Sequence, residues 1–295
     1  MNKYNLIVLK NQGFCFGVTS AINQVYENIN KLPKPIYLLG DLVHNKNVSN
    51  DLINNGIIIL NNKSRLNMLD DIEEGSVIIS AHGVSKEVYD KINEKALVFF
   101  DTTCPFVKKA SLLTDKYLNL GYDIIYIGKK LHPETEAYIN TSHLHIIENE
   151  IDINNLSINN EKIAITNQTT LLILDIEHLY KIIKNKYPNA IITSSVCNAT
   201  RDRQVELVTT IESLRGNEAL VVVIGDKMSN NTESLAKRAR EYPNISVLKI
   251  ENAAELASNV DLIKNSFNII IASGASTPKY IIDDIISELK EMLNI

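Results

Sequence analysis

Short apolar runs alternate with amphipathic stretches from one end of the chain to the other. Residues 4–10, 36–39, 57–60, 76–80, 97–101, 123–127, 143–147, 162–166, 190–193, 219–224, 245–249 and 267–272 read as strands. Helices are predicted at 18–30, 47–55, 85–94, 106–120, 175–186, 199–214, 231–241 and 279–293. The strongest helical pattern is Val205 to Leu214, where Val205, Val208, Ile211 and Leu214 recur at three-residue steps on one expected face. Strand-length runs alternating with helix-length amphipathic segments indicate parallel α/β architecture.

The loops after these strands repeat. Cys15 in Gly13-Phe-Cys-Phe-Gly17, Cys104 in Asp101-Thr-Thr-Cys-Pro105 and Cys197 in Ser195-Val-Cys-Asn198 each follow an apolar run and precede a helical pattern. A second loop is written three times, as Leu39-Gly-Asp-Leu-Val-His-Asn45, Ile127-Gly-Lys-Lys-Leu-His-Pro133 and Ile224-Gly-Asp-Lys-Met-Ser-Asn230. In each, a glycine ends the strand, and His44, His132 or Ser229 follows four positions later. A third set comprises Ser80-Ala-His-Gly83, Thr166-Asn-Gln-Thr-Thr170 and Ser273-Gly-Ala-Ser-Thr277. The expected fold is three similar α/β domains with mostly parallel sheets, arranged with pseudo-threefold symmetry around a central site. Their expected bounds are 13–102, 103–195 and 196–295, with residues 1–12 completing the third. Ligands of open α/β sheets sit beyond the carboxyl ends of the strands, where all three loop sets fall. Gly17, Gly40 and Gly274 flank these loops as candidate hinges.

Composition narrows the partners. Among 295 residues, 45% are hydrophobic and 22% charged, the balance of an ordinary globular protein, and the net charge is −5. No long Lys/Arg cluster provides the basic stripe that nucleic acid or an anionic membrane demands. The longest apolar runs are far too short to cross a bilayer, and the first residues lack the apolar core of a secretion signal. Three cysteines without such a signal point to a reducing, cytoplasmic setting.

Taken singly, each cysteine reads as a small buried hydrophobe. Their equivalent slots reverse that preference, because packing alone gives no reason to repeat a thiol. Three convergent thiolates suit an iron–sulfur cluster, and helix N-termini favour the thiolate. A four-iron cube with three protein ligands would keep one iron open to substrate. His44, His82 and His132 all end strands, whereas His143 and His145 alternate on a solvated strand and His178 lies in a surface helix. Any one loop histidine is more simply satisfied by backbone. Together with Ser229, Asn230, Asn231 and Ser276, the three suggest an anion pocket, since imidazoles, hydroxyls and amides can bind a diphosphate without an arginine cluster. Glu134 follows Pro133, where an acidic residue favours a helix N-terminus, and this is the role expected of Glu136. At the pocket lip Glu134 is also a natural proton donor, its pKa raised by burial, and Thr169 can pass a proton through its hydroxyl. No GxGxxG, GxSxG, HExxH or Walker A pattern is present.

With these residues assembled, the chain resembles the 4-hydroxy-3-methylbut-2-enyl diphosphate reductase (LytB/IspH) family over nearly its whole length. The motifs are Gly13-Phe-Cys-Phe-Gly-Val18, Val43-His-Asn45, Ala81-His-Gly-Val84, Asp101-Thr-Thr-Cys-Pro105, His132-Pro-Glu134, Gln168-Thr-Thr170, Cys197-Asn-Ala-Thr-Arg-Asp-Arg-Gln204 and Ala272-Ser-Gly-Ala-Ser-Thr-Pro278. The resemblance implies one 4Fe–4S cluster on Cys15, Cys104 and Cys197. It implies His44, His82, His132, Ser229, Asn231 and Ser276 as diphosphate ligands, with Glu134 and Thr169 serving protonation alongside His132. It also implies two-electron reductive dehydroxylation of an allylic diphosphate, the last step of the methylerythritol phosphate route to isoprenoids. A ferredoxin or flavodoxin is the implied electron donor. The family often carries Ser-Ser-Asn where this chain has Ser229-Asn-Asn231, so Asn230 replaces a hydroxyl donor with an amide. Two other readings use the same cysteines. A dehydratase or condensing enzyme of the quinolinate synthase type would bind dicarboxylates and want arginine near the cluster. A non-catalytic iron–sulfur sensor would leave Glu134 and the anion pocket without a purpose.

Overall fold

In the computed structural model, residues 4–193 and 196–295 are described. Met1–Lys3 and Ser194–Ser195 lie outside them, and with them the start of the expected N-terminal segment, the first residue of the Cys197 loop and the expected end of the second domain. The apolar runs become β1 (Asn5–Val8), β2 (Ile36–Leu39), β3 (Ile57–Leu60), β4 (Ser76–Ile79), β5 (Val98–Asp101), β6 (Asp123–Ile127), β7 (Leu144–Ile147), β8 (Ile163–Asn167), β9 (Ile191–Ile192), β10 (Ala219–Ile224), β11 (Ile245–Ile250) and β12 (Asn268–Ser273). The α-helices are α1 (Phe16–Asn28), α2 (Lys46–Asn54), α3 (Arg65–Met68), α4 (Lys86–Glu94), α5 (Pro105–Asn119), α6 (Pro133–Glu136), α7 (Glu150–Asn155), α8 (Ile173–Lys186), α9 (Asn198–Ser213), α10 (Asn230–Arg240), α11 (Val260–Lys264) and α12 (Lys279–Leu293).

The strands form three four-stranded sheets, ordered β3-β2-β4-β5, β7-β6-β8-β9 and β11-β10-β12-β1, and all their pairings are parallel. The order is the same in each: β2, β6 or β10 pairs centrally with β4, β8 or β12, the following strand β3, β7 or β11 takes one edge, and the strand before a cysteine takes the other. In the third sheet that edge is β1, the first strand of the chain, paired with β12 from Asn5↔Asn268 to Val8↔Ile271.

By contacts the chain divides into two compact units, Gly17–Val196 and Met1–Phe16 with Cys197–Ile295. The Gly17–Val196 unit carries the first two sheets. The β2–β5 sheet packs Leu39, Val77 and Ile79 against Met68, Leu69, Val88 and Ile92, and the β6–β9 sheet packs Ile125, Ile127, Ile163 and Ile165 against Ile176, Leu179 and Ile183 of α8. In the other unit, β10 and β12 are buried along their whole length, because helices cover both faces. Leu220, Val222, Ile269 and Ile271 face Ile281, Ile282, Ile285 and Leu289 of α12. On the opposite face Val221, Val223 and Ile270 meet Leu207 and Ile211 of α9 and Leu235, Ala236 and Ala239 of α10. Truncating Ile270 to alanine there would cost about 2–5 kcal/mol.

The buried face of α9 differs from the expected one. Thr200, Arg203, Gln204, Leu207 and Ile211 are buried, whereas Val205 is 54% exposed. A three-residue step drifts around a helix of 3.6 residues per turn, so Val205 and Ile211 cannot share a face for long. The inner stripe keeps helical period by using polar residues, which hydropathy does not count. Among the candidate hinges, Gly17 lies in the first turn of α1. Gly274 is required by packing, since a Cβ there would stand 2.2 Å from Thr232 Oγ1.

Candidate functional site

The Gly17–Val196 unit holds six of the expected residues, at or just after its strand ends. His44, His82 and His132 meet as a trio, with ring centroids 4.5 Å apart for His44 and His82, 5.5 Å for His44 and His132, and 5.6 Å for His82 and His132. Their nitrogens lie within 4.8 Å of one another, close enough to be a candidate cage for a metal ion. Hydrogen bonding argues for an anion instead. His132 caps α6, and its Nδ1 accepts from the Glu134 amide at 3.1 Å. An amide can only donate, so in neutral His132 the ring proton sits on Nε2, a donor and not a metal ligand. Burial keeps His82 and His132 well below the ordinary histidine pKa, and each feels the charge of neighbouring imidazoles and of Arg65. His82 and His132 are therefore neutral imidazoles, and His132 presents its Nε2–H.

Glu134 follows in the first turn of α6 and is 4% exposed. Burial raises its pKa to about 7, against the opposing pull of two hydrogen bonds from Thr169. The Thr169 amide donates to Oε2 at 2.9 Å, and its hydroxyl lies 3.0 Å from Oε1. Cys104 caps α5 and is half-buried; its amide donates to the Ala81 carbonyl at 3.0 Å, tying the thiol's loop to the residue before His82. Glu136 does more than occupy a helix N-terminus. It is ion-paired with the buried Arg65 side chain and accepts from the Arg65 amide at 2.7 Å. Gly40, at φ +75°, makes room for this guanidinium: a Cβ there would lie 2.9 Å from Nη2. His143 and His145 instead flank Asp123, at 3.2 and 2.9 Å, and half-exposed His145 lies in β7. His178, on the exposed face of α8, pairs with exposed Glu150 of α7.

The other unit holds the remaining expected residues. Cys15 immediately precedes α1, and Cys197 caps α9; both are half-buried. The Cys15 amide donates to the Ala275 carbonyl at 2.9 Å, matching the bond from Cys104 to Ala81. The Ala275 amide donates to Asn231 Oδ1 at 3.0 Å, and Asn231 Nδ2 donates to Thr200 Oγ1 at 2.9 Å. Thr200 Oγ1 lies 3.2 Å from Cys197 Sγ. Arg203 donates to the carbonyls of Gly13 at 2.7 Å and Ala199 at 3.0 Å. Burial lowers its pKa, and the nearby Cys15 and Cys197 sulfurs oppose that shift. This arginine stands near two of the thiols, and both of its terminal nitrogens donate to backbone carbonyls. Ser229 caps α10, whose first residues are Asn230 and Asn231, and Ser276 lies next to Ala275; all four side chains are buried.

The second loops also share one bond. The amides of Gly40, Gly128 and Gly225 donate to the last residue of the adjoining strand, Leu60 at 2.7 Å, Ile147 at 3.0 Å and Ile250 at 2.9 Å. Arg65, Thr200 and Arg203 are site neighbours that sequence reasoning did not select. Arg203 and Thr200 were visible only as members of the motif that follows Cys197.

Comparison with known proteins agrees with these motifs. The sequence model of the family described as LytB protein matches residues 6–290. A 4-hydroxy-3-methylbut-2-enyl diphosphate reductase of Geobacillus thermodenitrificans (strain NG80-2) is 38% identical over 293 residues, covering 97% of this chain and 90% of that protein. The enzyme of the same name from Lysinibacillus sphaericus (strain C3-41) is 37% identical over 286 residues, covering 95% and 86%. Among solved structures, the E-1-hydroxy-2-methyl-but-2-enyl-4-diphosphate reductase of Plasmodium falciparum superposes with a TM-score of 0.88 at 30% identity, covering 97% of this chain and 88% of that one. A second, described as (E)-4-hydroxy-3-methyl-but-2-enyl diphosphate reductase, the terminal enzyme of the non-mevalonate pathway, gives 0.65 at 28% identity, covering 98% and 99%.

Proposed function

The chain belongs to the LytB protein family and is an oxidoreductase of its 4-hydroxy-3-methylbut-2-enyl diphosphate reductase type, and on that premise we propose how its residues perform the reaction. The substrate is the allylic diphosphate, and the reaction consumes two electrons and two protons. The C–O bond of the allylic alcohol breaks, the hydroxyl leaves as water, and a C–H bond forms at either end of the allyl unit. The products are isopentenyl and dimethylallyl diphosphate. The observation that carries this reading is the histidine trio, with His82 and His132 held neutral, beside a buried carboxyl whose pKa is raised to about 7.

His44, His82 and His132 bind the diphosphate, the last through Nε2–H. Ser229, Asn230, Asn231 and Ser276 complete the ligand set with hydroxyl and amide donors. Asn231 has given one amide proton to Thr200 and keeps its second for the substrate. Charge arriving at the trio will raise the imidazole pKa values and strengthen these bonds.

The acid proton of Glu134 has a defined position. The Thr169 amide can only donate, so it holds Oε2 as an acceptor, and the proton of neutral Glu134 sits on Oε1. Oε1 faces the Thr169 hydroxyl. Glu134 donates to Thr169, whose own hydroxyl proton passes onward to the departing oxygen.

Cys15, Cys104 and Cys197 suit an iron–sulfur cluster, since all three are half-buried thiols at the N-termini of long helices. Bound there, a 4Fe–4S cluster would supply electrons one at a time and keep one iron without a protein ligand. A low-potential ferredoxin or flavodoxin is the electron donor, and the cytoplasm is the setting. Among the described residues no helix is long and apolar enough to cross a membrane. The three-domain division at 13–102, 103–195 and 196–295 belongs to the same proposal, each domain bringing one sheet and one cysteine.

Protein purified without oxygen and supplied with dithionite and a viologen mediator is expected to convert the allylic diphosphate to both products. Protein that carries iron and sulfide yet leaves this substrate untouched would overturn the assignment.

A further inference from the structure

Thr200 is fully buried in the first turn of α9, between a proposed cluster ligand and a proposed substrate ligand. The proton directions around it follow from groups that have no alternative. The Ala275 amide can only donate, and its 3.0 Å contact orients the Asn231 carboxamide with Oδ1 towards Ala275. Asn231 Nδ2 then faces Thr200 Oγ1 at 2.9 Å and must be the donor of that pair. With its oxygen accepting, Thr200 has one proton left to give, and Cys197 Sγ is 3.2 Å away. The Ala275 carbonyl meanwhile accepts from the Cys15 amide. A single polar chain, Cys15–Ala275–Asn231–Thr200–Cys197, thus runs between two thiol residues, and Thr200 is its last link.

We propose that Thr200 is a positioning residue that donates an O–H···S hydrogen bond to the Cys197 thiolate and thereby raises the reduction potential of the cluster. This rests on the reading of Cys197 as a cluster ligand. Each added electron increases the negative charge shared by the cluster sulfurs. A donor aimed at one of them favours the reduced state, and removing it makes reduction harder. An ordinary threonine in a first helical turn bonds to backbone, but here the carbonyl of Cys197 already accepts from the Thr200 amide at 3.1 Å.

The test is potentiometry of anaerobically purified, cluster-loaded protein, followed by electron paramagnetic resonance. Thr200→Val, which keeps the shape and removes the hydroxyl, is expected to shift the midpoint to a more negative potential at unchanged iron content. Thr200→Ser is expected to stay near the wild-type value. A fully loaded Thr200→Val variant with the wild-type midpoint would overturn the proposal alone. Wild-type protein without an iron–sulfur signal would overturn it together with the cluster reading. A measurement on wild type needs no variant: electron nuclear double resonance in light and heavy water should reveal an exchangeable proton coupled to the reduced cluster. Its absence would count against the hydrogen bond even if the valine variant failed to load.

Discussion

At the scale of single residues, the site depends on which atom holds which proton. Glu134→Gln keeps the shape of the side chain and removes the acid, so turnover should fall by a factor of about 10²–10⁴ while iron content stays at the wild-type level. Wild-type turnover should decline as pH rises through about 7, where Glu134 ionises. Thr169→Val removes a hydrogen bond that stabilises the carboxylate. The declining limb should therefore move to higher pH while the rate drops, and a limb that stayed in place would break the link between the two residues. The same group sets a stability trend. Unfolded chain releases this proton near 4.5 and the native protein near 7, so between those values the native state binds more protons. Its contribution of roughly 3 kcal/mol is present below the unfolded value and is lost by the time pH passes the native one. The thermal midpoint of wild type should fall more between pH 5 and 8 than that of Glu134→Gln. Glu134 and Thr169 could be singled out in advance because each follows soon after a strand end in a chemically distinctive motif. Thr200 could not, since its meaning lies in partners such as Asn231 and Cys197 that only folding brings to it.

At the scale of elements, the strands were the legible part. Parallel sheets covered on both faces need near-continuous apolar runs, and those runs stand out between polar helices. Four of the helices, α3, α6, α7 and α11, left no periodic trace because none exceeds six residues. Their start signals were readable only in hindsight, as with Asn149, which caps α7 through its side chain. Two of these short helices meet through the Arg65–Glu136 pair, which links the β2–β5 half of its unit to the β6–β9 half. The Arg65 side chain is 7% exposed and that of Glu136 28%. Removing one partner leaves a buried charge unmatched, a loss of about 3–5 kcal/mol for a fully buried pair and less where one partner reaches solvent. Glu136→Leu should therefore lower stability by roughly 2–3 kcal/mol in chemical denaturation. The double variant Arg65→Met with Glu136→Leu should recover most of that loss. A double variant as unstable as the sum of its parts would mean that the two charges act independently.

At the scale of the whole molecule, the chain writes one sheet order three times and begins with the strand that the last copy lacks. β5, β9 and β1 hold the same edge position, and the cysteine follows each of them. The recurrence of cysteine and glycine loops made the three copies readable in advance, because those loops are short and chemically distinctive, but the strand order within each copy was not. The pairing of β1 with β12 joins residues at opposite ends of the chain, in keeping with the expectation that residues 1–12 complete the third copy. The chemical consequence of equivalence is equal dependence. Cys104 belongs to the Gly17–Val196 unit, whereas Cys15 and Cys197 belong to the other. If the three thiols serve one cluster, serine at any of them removes one ligand of the same kind from the same set. Cys15→Ser, Cys104→Ser and Cys197→Ser should then lose iron and sulfide to a similar extent and lose activity with them, with secondary structure by circular dichroism unchanged. Cys104→Ser is the decisive member, because its thiol is the one contributed by the larger unit. Retention of a full iron complement there, beside loss in the other two, would confine the ligands to one unit and end the claim of a trio.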